Sequence, residues 1–148
     1  MTTADMEVAE RLSKRRARML PVLAVLFISQ QVSYFSQREQ AGRVVDQFKI
    51  SAWLAMSIVL LAAVWSGGAW FRSRAVRGLM NDEVTQAHRA QSFQAGFLAS
   101  MLGCIFLYIL TMFTPVEGRD AIHIVMTIGI SAALLSFAVL ERRALKDG

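Results

Sequence analysis

His88, His123 and Cys104 have the widest chemical repertoire of any side chains in this 148-residue chain, since imidazole and thiolate ligate metals and imidazole also moves protons. Their number and spacing work against each of those uses. One cysteine builds no internal disulfide, Cys-rich zinc site or dithiol redox pair. Cys104 lies instead in a helical row of small residues, where it packs as one more small side chain. A haem held by two histidines needs both rings on one plane, whereas His88 and His123 would fall near opposite faces of a membrane crossed by these segments. His123 therefore reads as an interfacial histidine at the start of the last apolar run. No HExxH, no GxSxG, no phosphate-cradling glycine loop and no His/Cys/acid cluster occurs, and Gly67-Gly68 falls within a packing helix. The expectation is a protein without catalytic residues, metal or cofactor.

A second set is polar without being ionisable. Gln30, Gln31, Ser33 and Tyr34 follow the strongly apolar Met19–Ile28. In a lipid environment such side chains have two uses: hydrogen bonds between helices, or the lining of a polar path for a transported solute. The third set is basic: Arg15 and Arg16 before the first apolar run, then Arg72, Arg74, Arg77 and Arg89 between the second and third. Their uses are contact with anionic lipid headgroups or with a protein partner.

The elements that must carry these residues follow from where charge is missing. Hydrophobic residues make up 55% of the chain and charged residues 18%, and the mean hydropathy is +0.42. The 16 basic and 11 acidic residues all avoid residues 19–37, 50–71, 90–116 and 121–140. Crossing about 30 Å of hydrocarbon at about 1.5 Å per residue takes roughly 20 apolar residues, so each run is long enough or nearly so. Ile58–Val64 and Ile105–Leu110 are apolar on every side, unlike the one-sided helices of soluble proteins. The predicted fold is all-α: an integral membrane four-helix bundle, made of two antiparallel hairpins, forming a single domain over 1–148. Its spans are about 19–37, 50–71, 90–113 and 121–140. The first is the weakest, and it reads as a retained helix because no small-x-small cleavage pattern closes it.

Connections set the orientation. Twelve Lys and Arg lie in the N-terminal segment, in 72–89 and in the tail, against four in the other two connections. The positive-inside rule then places both termini in the cytoplasm. The net charge of +5 becomes an orientation signal and a lipid-contacting collar, not a sign of nucleic acid. Residues 1–18 read as a basic cytoplasmic helix, 72–89 as a cytoplasmic helical hairpin, and 141–148 as a cytoplasmic tail. Trp53 and Trp70, about 25 Å apart along a helix, would mark the two interfaces of the second span.

Small residues mark where helices approach closely. Ala95, Ala99 and Gly103 repeat every fourth position, and Gly96, Ser100 and Cys104 form the adjacent row; Gly129/Ala133 match them in the last span. Small-x-x-x-small rows let backbones meet where lipid supplies no hydrophobic drive, but the partner could be the same chain or a second copy.

Met80-Asn81-Asp82-Glu83-Val84-Thr85-Gln86-Ala87-His88-Arg89-Ala90, running straight into a long apolar helix, resembles the Asn-Asp-Glu-x-Thr element of uncharacterised small bacterial inner-membrane proteins. Some relatives of that kind are associated with helix-turn-helix transcriptional regulators. The likeness covers these residues and the four-span layout, and carries over no catalytic residue. Residues and resemblance together predict a non-enzymatic, multi-pass inner-membrane protein. It would act as a regulatory or partner-binding subunit, contacting membrane lipids and either a second copy or a membrane or cytoplasmic protein. The alternative is a small oligomeric transporter or channel, with Gln30 and Gln31 on its polar path.

Overall fold

The computed structural model describes residues 3–36, 43–66 and 83–147. They form four α-helices and, among the described residues, no strand: α1 (Thr3–Ser36), α2 (Arg43–Trp65), α3 (Glu83–Thr111) and α4 (Gly118–Asp147). Arg72, Arg74, Arg77, Trp70 and most of the expected 72–89 hairpin lie outside the described residues.

Three helices are long and apolar enough to cross a membrane, over Phe48–Trp65, Glu83–Thr111 and Gly118–Ala144. The first of the four expected spans falls short of that measure. Its apolar part is Arg18–Val32, bounded by the basic Arg11–Arg18 on one side and by polar residues on the other. At about 1.5 Å per residue that part spans roughly 22 Å. The basic segment and this run are one helix, continuous through Pro21. Pro in a helix interior removes one backbone bond, a loss that neighbouring helices and local adjustment make tolerable in membrane-type helices.

Helices α1 and α2 each bury a stripe that alternates steps of four and three residues, the spacing that keeps one face toward a neighbour over a long helix. In α1 the stripe is Leu20, Ala24, Phe27 and Gln31; in α2 it is Trp53, Ser57, Leu60 and Val64. In α3 Ser92, Gly96, Gly103 and Leu107 are buried. Among the described residues the last helix is the most buried of the three membrane-length helices, and α3 and α1 make the most extensive packing against it. Both α1 and α2 pack against α4, α1 more extensively, and the connection between α1 and α2 lies outside the described residues. The α3–α4 hairpin is present. Backbone amides of Met112, Phe113 and Thr114 turn back onto the carbonyls of Ile109 and Leu110, and α4 begins after Pro115.

Two kinds of packing hold the helices. A Cβ placed on Gly96 would lie 2.8 Å from the Gly129 carbonyl oxygen and 3.0 Å from the Ala133 Cβ, so α3 and α4 meet backbone to backbone. Only glycine permits that approach. Against α2 the contact is made by large side chains, Trp53, Leu60 and Val64 joining Phe27, Leu134 and Phe137 in one core. At the far end of α2, Trp65 meets Phe93 edge to face with centroids 5.8 Å apart.

The outer surface is far more apolar than a soluble protein's, and several polar side chains share the interior with the apolar core. Val25, Leu26, Ile58, Phe97, Leu102, Phe106 and Ile109 are among many exposed apolar side chains. Gln31, Ser57, Ser92, His123, Thr127 and Ser131 are buried.

Candidate functional site

Buried polar groups divide into those that satisfy themselves and those that do not. Ser57, Ser92, Ser100 and Thr127 each donate a hydroxyl to the carbonyl four residues earlier, at 2.6–2.9 Å. Such back-bonding lets a hydroxyl sit inside without any partner helix. Gln31, by contrast, has neither amide atom hydrogen-bonded, and Gln30 Oε1, Trp53 Nε1 and His123 Nε2 likewise lack hydrogen-bond partners among the described residues. These four residues belong to one end of the molecule, where α1 finishes and α2 and α4 start.

His123 is the centre of that end. Its ring is sandwiched between Trp53, at 3.8 Å and 19°, and Tyr34, at 4.4 Å and 12°, while Phe35 meets it nearly edge-on at 6.2 Å. Three helices thus contribute one flat stack. With both faces covered, only the edge of the imidazole remains for polar contact. A cavity of about 190 Å³ lies beside the stack, lined by Gln30, Tyr34, Lys49, Trp53 and His123.

Sequence placed His123 at a membrane interface and Trp53 as an interfacial marker. Both side chains face inward among the helices, at 3% and 5% exposure. Period alone carried a signal for Trp53, which falls on the same stripe as Ser57, Leu60 and Val64. Nothing local announced the stack, because it joins residues 34, 53 and 123. The expectation that Gln30 and Gln31 tie neighbouring helices together by hydrogen bonds meets a difference: Gln31 faces inward on the α1 stripe, but its amide reaches no partner among the described residues.

At the opposite end His88 Nδ1 lies 3.5 Å from Glu141 Oε1, joining the start of α3 to the end of α4. Glu141 is buried there. Eighteen residues of α4 separate His123 from Glu141, about 27 Å along the helix, so the two histidines never come together. Arg89, expected as a partner or lipid contact, donates from Nη1 to the Trp65 carbonyl oxygen at 2.7 Å and so caps the end of α2. Arg15 is exposed on α1, and the Arg16 side chain is outside the described set.

No protein family, curated protein or solved structure matches the chain. The small-residue rows resolve into one intramolecular contact. Gly96, Ser100 and Gly103 of α3 face Gly129, Ala133 and Ile128 of α4, and a Cβ at Gly129 would strike the Ser100 hydroxyl. Ala95 and Ala99 flank that contact half-buried, and Cys104 is exposed. Above the crossing a groove of about 260 Å³ remains, lined by Leu61, Phe93, Phe97, Met126 and Ile130 beside the small residues.

Proposed function

We propose that the chain is a non-enzymatic, multi-pass protein of a bacterial inner membrane that acts as a regulatory or partner-binding subunit. The observation that carries the membrane reading is the broad apolar outer surface on helices of membrane-crossing length. In this reading all four helices cross as a bundle. The α1 helix completes its crossing by extending beyond Arg18–Val32, with Gln31 turned away from lipid and the arginines of its first half at the headgroups. Both termini are cytoplasmic, as the Lys and Arg distribution requires.

The partner-binding role is supported by the basic collar and by the resemblance of residues 80–90 to small membrane proteins found with transcriptional regulators. Self-association through the small-residue rows loses support, since that face is used within the chain by the α3–α4 contact. A surface for a second protein is better sought among Arg15, Arg16, Arg72, Arg74 and Arg77. Affinity purification from mild detergent tests this: changing Arg72, Arg74 and Arg77 to Glu is expected to remove specific co-purifying proteins, and an unchanged set contradicts it.

The transporter reading has one observation in its favour, the polar recess that includes Gln30. Against a through-path in one chain, Phe27, Leu134 and Phe137 are fully buried between that recess and the His88–Glu141 pair. Any flux would need a second copy. Proteoliposome conductance separates the readings, and a flux abolished by Gln30→Leu in a folded protein would favour transport.

A further inference from the structure

The groove above the α3–α4 crossing has walls from all three membrane-length helices. Leu61 of α2 stands on one side, Phe93 and Phe97 of α3 on the other, and Met126 and Ile130 of α4 behind them. Among the described residues α2 and α3 pack against α4 rather than against each other, which leaves the space between them open. The surface of the groove is mostly hydrocarbon, and the Ser100 hydroxyl on it already donates to the Gly96 carbonyl at 2.9 Å.

A charge stands at the head of this groove. One turn beyond Leu61 on α2 comes Trp65, and one turn before Phe93 on α3 comes Arg89. These two residues join the walls: Arg89 Nη1 donates to the Trp65 carbonyl oxygen at 2.7 Å, and the Trp65 ring meets Phe93 with centroids 5.8 Å apart. Arg89 is half-buried and is the last charged residue before the uncharged 90–116, so it marks where α3 enters hydrocarbon. Its bond goes to a neutral carbonyl. Among the described residues no carboxylate pairs with it, and Glu141, at the same end, stands against His88. A guanidinium carries a fixed charge and a planar fork of N–H donors, a geometry that suits phosphate oxygens.

Size decides between a lipid and a helix as the occupant. From Phe93 to Ser100 the groove follows α3 for about 10 Å. Spread over that length, about 260 Å³ leaves a cross-section of roughly 26 Å², whereas a helix with its side chains is about 10–12 Å across. A helix could offer the groove only single side chains; a hydrocarbon chain could lie along it.

We infer that the groove seats one acyl chain of an anionic phospholipid from the cytoplasmic leaflet, with Arg89 donating to its phosphate. The apolar walls hold the chain, and the uncompensated charge at their head selects an anionic lipid over a zwitterionic one. The inference rests on the proposed membrane location and orientation.

The test uses the full chain, purified in mild detergent, stripped of lipid, and given equal amounts of phosphatidylglycerol and phosphatidylcholine with the same acyl chains. Native mass spectrometry is expected to show phosphatidylglycerol retained in preference to phosphatidylcholine. A phosphatidylglycerol with a diazirine midway along one acyl chain, added at equimolar ratio, should label Leu61 and residues 93–100 in preference to Leu102 and Phe106 on the exposed side of α3. Arg89→Gln should weaken phosphatidylglycerol retention about tenfold, the effect of one hydrogen bond to a charged group. Leu61→Trp, at a position 37% exposed, puts a ring into the groove and should remove the labelling there. Arg89 also caps α2, so each variant's melting temperature is recorded without lipid, and where Arg89→Gln does not fold Leu61→Trp decides alone. Equal retention of the two lipids, labelling spread evenly along α3, undiminished retention in folded Arg89→Gln or undiminished labelling in Leu61→Trp overturns the inference. So does a dimer whose groove is shielded from the label, since a second copy would then be the occupant. Release of the chain from membranes by alkaline carbonate would sink the membrane reading as well; a chain that stays in the membrane and fails these tests sinks the lipid site alone.

Discussion

His123 illustrates how one residue acquires its role from three helices. Each stacked pair contributes about 0.5–1.5 kcal/mol beyond burial, and the imidazole makes two such pairs, with Tyr34 and Trp53. His123→Ala is therefore expected to cost about 2 kcal/mol in thermal unfolding in detergent, and His123→Phe about half that or less. Equal losses would mean that the stack contributes nothing and the nitrogens everything. Gln31 makes the opposite prediction. Its buried amide has no hydrogen-bond partner among the described residues, so Gln31→Leu, similar in size and apolar, should leave the melting temperature unchanged or raise it. A drop of several degrees would mean that the amide is bonded within the bundle. The sequence located both glutamines but not their lack of partners, because hydrogen-bonding depends on what the other helices bring opposite them.

Helices were the most legible level. Charge gaps place the end of α3, expected near 113, within two residues of Thr111, and the hairpin into α4 follows from the short connection around Pro115. Which helices touch was less legible, since small residues announce close approach without naming a partner. That contact now yields a specific expectation. Gly129→Ala puts a methyl against the Ser100 hydroxyl and should destabilise by about 1–3 kcal/mol. Adding Ser100→Gly in the same chain should recover part of the loss, a coupling read by a double-mutant cycle. Cys104→Leu, on the exposed side of α3, should change stability by less than about 0.5 kcal/mol. Equal effects at Gly129 and Cys104 would refute the α3–α4 contact. Arg89 adds an expectation about local order: without its bond to the Trp65 carbonyl, Arg89→Ala should speed amide exchange in the last turn of α2 and leave α3 protected.

At the scale of the whole molecule the account turns on α1. Three helices meet the length and hydropathy of a membrane span, and the first has a shorter apolar part between a basic half and polar residues. Composition legibly marks a membrane protein, because the charges are segregated so completely. It leaves the number of crossings open, because Gln30, Gln31 and Ser33 lower the hydropathy of α1 whether they face a protein interior or water. The inward position of Gln31, on one stripe with Leu20, Ala24 and Phe27, is what argues for a crossing. An even number of crossings puts both termini on one side of the membrane, and an odd number separates them. The decisive measurement is thus the sidedness of reporters fused before Met1 and after Gly148 in membranes of intact cells. Four crossings predict that both reporters are cytoplasmic; a cytoplasmic N-terminus with an external C-terminus would contradict the account and leave α1 lying along the membrane surface.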